Sequence, residues 1–198
     1  IVEAHMATTC TGGTVSCWIA SQAEILNRLA ESLAPVERLI TGGAYVIGCA
    51  FLFKAIYSLK IYGEARTMMS NSASVKEPIM YLMVGAILIY FPTGFKTFMM
   101  STFGYQNPLQ YAPVNSSNQA LDTLFGSGSV VGRPLAMLIQ VVGLIAFVRG
   151  WVLIARSASQ GQPPGGTGKG LIHVFGGILA INIVGTINMI NNTLYGPG

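Results

Sequence analysis

Four stretches of roughly twenty residues run almost without formal charge, and each is long enough to cross the ~30 Å hydrocarbon of a bilayer as a helix. They are Leu39–Leu59, broken by Lys54; Pro78–Phe98, uncharged from Pro78 to Phe95; Pro134–Ala155, broken by Arg149; and Gly170–Met189, with no charge. Each lone cation sits near a segment end, where its stem can lift the charge to the headgroups. The whole chain carries 11 Lys+Arg and 7 Asp+Glu in 198 residues, or 9% charged, where a soluble domain carries about 25%. That is too little charge to build the water-facing surface of a 21 kDa globule. Disorder fails too, because it needs low hydrophobicity and high charge, and mean hydropathy here is +0.56. Two His and a single Asp leave little material for acid–base or metal chemistry. The reading is an all-α integral membrane protein that is not an enzyme and carries no cofactor or metal.

The cations give the orientation. Lys54, Lys60, Arg66 and Lys76 flank the first connection, and Arg149, Arg156 and Lys169 flank the third; Arg28, Arg38, Lys96 and Arg133 lie at the other ends. The excess of Lys and Arg marks the cytoplasmic side, so both termini and the central connection are expected outside the cytoplasm.

The chain also repeats. A shift of 95 residues carries Arg38 onto Arg133, Gly48 onto Gly143 and Lys54 onto Arg149. A shift of 92 carries Gly85 onto Gly177, Ile89 onto Ile181, Phe103 onto Tyr195 and Gly104 onto Gly196. Each unit is then an inward helix, a basic loop and an outward helix. The expected organisation is an N-terminal extracytoplasmic segment with an amphipathic helix (1–38), a first helical hairpin (39–104), a connecting loop (105–133) and a second hairpin (134–198). In the first segment Ile25, Leu29, Leu33 and Val36 share one helix face and Glu24, Arg28, Glu31 and Glu37 the other. Ser21 and Glu24 fit a capping box, and Pro35 is expected to bend this helix. Residues 105–133 read as loop with a short helix near Ser117–Phe125. The start at Ile1, without an initiating Met, fits a leader already removed or cloning residues around His5–Met6.

Candidate chemistry is sparse. Gly165–Gly170 imitates a phosphate-binding loop but lacks the required Gly at Pro163 and the Ser or Thr at Gly170; it reads as a turn marked by Lys169. Cys10 and Cys17, both expected outside the cytoplasm, are positioned to form a disulfide. Cys49 reads as a packing residue, and His173 as an interfacial hydrogen-bonding group. Small residues one turn apart, Ala44 with Gly48 and Ala146 with Gly150, together with Gly85 and Gly177, predict close helix packing. Gln140 and the amides Asn182, Asn188, Asn191 and Asn192 should face protein or water. The basic ends, Lys54, Lys60, Arg66, Lys76, Arg149, Arg156 and Lys169, are the expected contacts for anionic lipid headgroups. A stand-alone transporter is disfavoured by the lack of intramembrane acids and of any evident broken-helix site.

The run Ala34-Pro35-Val36-Glu37-Arg38-Leu39-Ile40-Thr41-Gly42, followed by Phe53-Lys54-Ala55-Ile56-Tyr57-Ser58-Leu59-Lys60-Ile61-Tyr62-Gly63-Glu64-Ala65-Arg66-Thr67-Met68-Met69, resembles the IcmC/DotE family of type IVB secretion systems and its TraQ-type counterpart in I-type conjugation. Lys76-Glu77-Pro78, Ile89-Tyr90-Phe91-Pro92 and Gly176–Thr186 resemble it too, the last also being similar to the IcmD/DotP type. The resemblance covers roughly residues 30–104 and 165–195. It implies a structural component of a bacterial inner-membrane secretion or conjugation apparatus, with other type IV secretion components as partners and no sequence-specific nucleic-acid binding. The tandem hairpins also resemble conjugative pilins. That resemblance implies self-association into a pilus or channel, with phospholipid as a bound partner. The alternative is a non-polymerising scaffold of the same machine.

Overall fold

A computed structural model of the chain describes residues 15–67, 75–103, 131–159 and 165–196, together with Gln119, Asp122, Phe125, Gly126 and Ser129. The described residues are helical almost throughout, with no strand among them. The helices are α1 (Val15–Thr67), α2 (Lys76–Phe103), α3 (Gly132–Ser157), α4 (Gly166–Ile181) and α5 (Ile183–Tyr195). By length and apolar composition α1 and α3 can each cross a membrane, and α4 with α5 can if the bent pair is one span. The most extensive helix contacts join α3 to α4 and α1 to α2, and α1 also lies on α3.

The expected boundary at residue 38 is crossed by α1. The helix is continuous over 53 residues, about 80 Å at ~1.5 Å per residue. Ser21 therefore lies inside α1, away from its first turn, while Glu24 accepts a 2.6 Å bond from Arg28. Pro35 interrupts neither the helix nor its register. Its ring leaves the Glu31 carbonyl without a helical donor, but both residues are exposed, so water can take that place. The expected apolar face is also uncovered in part: Ile25 and Leu29 are exposed, whereas Ala30 is buried.

Pro78 and Pro134 each fall in the first turn of their helices. There a backbone N–H has no intrahelical partner to lose. Glu77 adds an acid to the first turn of α2, where the helix dipole favours it. The core joins Ala44 and Ala55 of α1, Tyr81, Val84, Leu88, Phe91 and Phe95 of α2, and Leu144, Phe147 and Ile154 of α3. Phe91 stacks on Phe147 at 4.9 Å between ring centroids, and Phe95 meets the same ring edge-on at 6.2 Å. Lipid tails are as apolar as these side chains, so in a membrane such contacts stabilise by fit and close approach more than by hydrophobicity.

The fourth expected span, Gly170–Met189, is not one straight helix. It breaks at Asn182, and α4 and α5 are bent by 88°. Asn182 leaves helical geometry (φ −113°, ψ 50°), and its Oδ1 accepts from Gly185 N at 3.3 Å, capping α5. Thr186 Oγ1 donates to Leu179 O at 3.1 Å, serving a carbonyl that the break releases. A broken helix at membrane depth needs such side chains to satisfy the freed backbone. Gly185 leaves room for this cap, because a Cβ there would press on the Asn182 side chain. A small second cluster under the bend joins Phe125, Ala136 and Val184. The short helix expected near Ser117–Phe125 lies mostly outside the described residues, but Gln119, Asp122 and Phe125 are helical.

Candidate functional site

The closest helix approaches are at glycines, and they are reciprocal. A Cβ on Gly48 would lie 3.0 Å from Gly85 O, and one on Gly85 would lie 3.0 Å from Gly48 O. In the second pair a Cβ on Gly143 would lie 2.9 Å from Gly177 O, and one on Gly177 would lie 2.8 Å from Gly143 O. Gly150 and Gly170 repeat the relation at 2.8 and 2.9 Å. Backbone therefore meets backbone, and only glycine leaves room for it. The partners rise in one helix as they fall in the other, so both pairs are antiparallel.

The repeat read from the sequence coincides with these contacts. Gly48 and Gly85 shift onto Gly143 and Gly177, which form the matching crossing. The neighbours match as well. Gly48 faces Ile89, and Gly143 faces its equivalent, Ile181; Gly85 faces Leu52, and Gly177 faces its equivalent, Phe147. Four independent positions thus make the same contacts in both halves. The small-residue pairs fare unequally. Ala44 is buried beside Gly48, but Ala146 is only partly buried, and Gly143 takes its place with Gly150 in the α3 seam. The spacing of seven in Gly143/Gly150 and Gly170/Gly177 was the available signal.

A polar network ties three elements together near the basic connections. Lys54 Nζ donates to Tyr81 Oη at 2.7 Å and lies 4.3 Å from the centre of that ring. Tyr81 Oη in turn shares a short hydrogen bond with Ser159 Oγ. Tyr81 is buried, so its hydroxyl needs these partners. Because Ser159 follows α3 and Tyr81 lies near the start of α2, the two basic connections open at the same end of the molecule. Ser157 Oγ and Thr167 Oγ1, 2.8 Å apart, close the α3–α4 end, and Gly165 turns the chain there with φ 104°. Lys54 is exposed while bonding Tyr81, a pairing between residues 27 apart that local patterning does not reveal.

The other basic residues are distributed along that end. Lys60 lies 3.7 Å from Glu64 on an exposed face, an ion pair worth little. Lys76, Arg149, Arg156 and Lys169 are exposed. The Arg66 side chain, Cys10 and the Cys17 side chain lie outside the described residues, and with them the expected disulfide. Cys49 is a free, partly buried thiol. His173 Nδ1 is 2.7 Å from Lys169 O. No group of three or more His, Cys, Asp or Glu forms among the described residues.

Two features escaped the sequence. An apolar cleft of about 350 Å³ opens between α2 and the α3–α4 pair, walled by Tyr90, Phe91, Phe95, Phe147, Trp151 and Ile178. On α3, Gln140 Oε1 and Trp151 Nε1 are buried without a hydrogen-bond partner among the described residues. No protein family, curated protein or solved structure with which the chain was compared matches it.

Proposed function

We propose that this chain is a structural membrane subunit of a type IV secretion or conjugation apparatus of the IVB/I type. In this reading it is a pilin-like element of two tandem helical hairpins that assembles with copies of itself and with phospholipid. The observation that carries it is the duplicated glycine crossing, Gly48/Gly85 and Gly143/Gly177. It makes each half a rigid hairpin of one design, the kind of unit from which repeating walls are built. In the proposal α2 spans like its equivalent, the termini and residues 105–133 face away from the cytoplasm, and α1 begins as an amphipathic extension before entering the membrane.

Phospholipid enters at two places. Its anionic headgroups meet Lys60, Lys76, Arg149, Arg156 and Lys169, each cation contributing on the order of 1 kcal/mol near a charged surface. An acyl chain fills the apolar cleft beside Trp151. The test is lipid analysis of gently purified assemblies. Stoichiometric, anion-enriched lipid that falls when Lys60 and Arg156 are both neutralised supports the reading; lipid-free, intact assemblies oppose it. The scaffold alternative draws on the length of α1, which outruns any bilayer. A stand-alone transporter gains a broken helix at Asn182, yet among the described residues no acid or base stands at the break.

A further inference from the structure

We infer that the exposed face of α1 carrying Val46, Phe53, Ile56 and Leu59 is the seat for the α4 face of another copy of this chain. The inference rests on the self-associating reading above and names the surface through which it proceeds.

Leu39, Gly42, Val46, Cys49, Phe53 and Ile56 alternate in steps of three and four, the spacing of a helix-packing seam. Val46, Phe53, Ile56 and Leu59 are 67, 74, 64 and 52% exposed. The 95-residue shift carries them to Val141, Val148, Trp151 and Ile154. There the same seam is covered. Val141 and Ile154 are 6 and 3% exposed, Leu144 in place of Cys49 is 3%, and Val148 and Trp151 pack against the common core. Ile154 is held at least in part by its own hairpin partner, Gly170 of α4, whereas Leu144, Val148 and Trp151 share the core with the first helix pair. Phe53 and Ile56, the copies of Val148 and Trp151, stay exposed.

The covering surface is duplicated as well. Tyr81, Val84 and Leu88 of α2 are fully buried in the same core. The 92-residue shift carries them to His173, Gly176 and Ala180, which are exposed or partly exposed, among exposed Ile172, Phe175 and Leu179. Each chain thus holds one uncovered seam and one uncovered counterpart, related by the step already used within it. A contact of this kind is head-to-tail and propagates instead of closing on itself.

Polar groups agree with the step. The Tyr81–Ser159 bond that joins the halves within one chain becomes, between copies, His173 beside Glu64; as an imidazolium His173 keeps Nδ1–H on Lys169 O and offers Nε2–H to that carboxylate. Lipid tails could wet the apolar seam, but they offer nothing to this pair. The copied Tyr81–Ser159 pair sets the register on α4, because the copy of Phe91 is Ile183, beyond the Asn182 break. It brings Leu59 of one copy within a turn of Gly176 of the next and Ile56 within a turn of Leu179.

The test uses the full chain with Cys10, Cys17 and Cys49 replaced by Ser, oxidised in its own membranes. Leu59→Cys with Gly176→Cys, and separately Ile56→Cys with Leu179→Cys, should each yield a ladder of linked dimers and higher species. Each single substitution should give none beyond background. Equal linking by the out-of-register pair Leu39→Cys with Gly176→Cys, or dominant dimers from Leu59→Cys alone, would overturn the inference. So would persistence of oligomers, measured by native mass, with neither pair linking; self-association would then stand through another surface. A monomeric cysteine-free chain in lipid nanodiscs, where the unsubstituted chain is monomeric too, would overturn both readings together.

Discussion

Replacing Gly177 by Ala probes the packing argument where the added carbon's nearest neighbours are all backbone. The added Cβ would sit 2.7 Å from Phe147 N, 2.8 Å from Gly143 O and 2.9 Å from Phe147 Cα. All three are backbone atoms, so no side chain can rotate away. Carbon–carbon contacts settle near 3.5 Å, so α3 and α4 must separate by roughly 0.6 Å along their seam. Over-packing of this kind costs about 1–3 kcal/mol, partly offset by the ~1 kcal/mol by which Ala outranks Gly in a helix. Gly176 is the control one residue away, because a Cβ there meets nothing within 4 Å. Gly176→Ala should leave stability unchanged or raise it by up to about 1 kcal/mol. Unfolding measured by denaturant titration in bilayer mimics would therefore move in opposite directions for the two. Gly177→Ala as stable as Gly176→Ala would refute the close-approach reasoning.

Four further outcomes can be measured. Tyr81→Phe deletes the hydroxyl shared by Lys54 and Ser159, so stability should fall by about 1 kcal/mol and amine labelling of Lys54 should quicken; unchanged labelling would count against the network. Asn182→Ala removes the cap of α5, at a cost of about 1 kcal/mol, and should open the 88° bend, read as a longer distance between spin labels on Leu171 and Met189. Gly185→Ala collides with the same side chain, so its effect should shrink in the Asn182→Ala background, and strict additivity would contradict that coupling. Thiol-accessibility mapping should label Ser72→Cys and Gln160→Cys from one side of the membrane and Asn118→Cys from the other.

Charge-poor runs made the helical, membrane-compatible class legible from the residues alone, because helices satisfy their backbone internally wherever they lie. The repeat was legible too, since the matched glycines Gly48, Gly85, Gly143 and Gly177 are the crossings themselves. Breaks and joins were read less well. Pro35, expected to bend the helix, lies inside an α1 that runs on through it, one lost hydrogen bond on an exposed face being tolerated in a long helix, so the boundary read at residue 38 is not a break. Gly170–Met189 suggests continuity, yet the Asn182, Gly185 and Thr186 side chains and backbone make a cap that hydropathy does not register. The bond from Lys54 to Tyr81 crosses a helix interface, where sequence spacing carries no information. The apolar cleft is likewise a product of how α2, α3 and α4 come together.

We propose repeated hairpins joined across chain boundaries with lipid between them. Electron cryo-microscopy of the assembly, extracted gently from its own membrane, tests it most directly. The predicted result is many copies related by one repeating step, α1 of each against α4 of the next, with headgroup density at the ends bearing Lys60 and Arg156. A discrete, lipid-free bundle of one chain, with the Phe53 face open to the surrounding detergent, would contradict it.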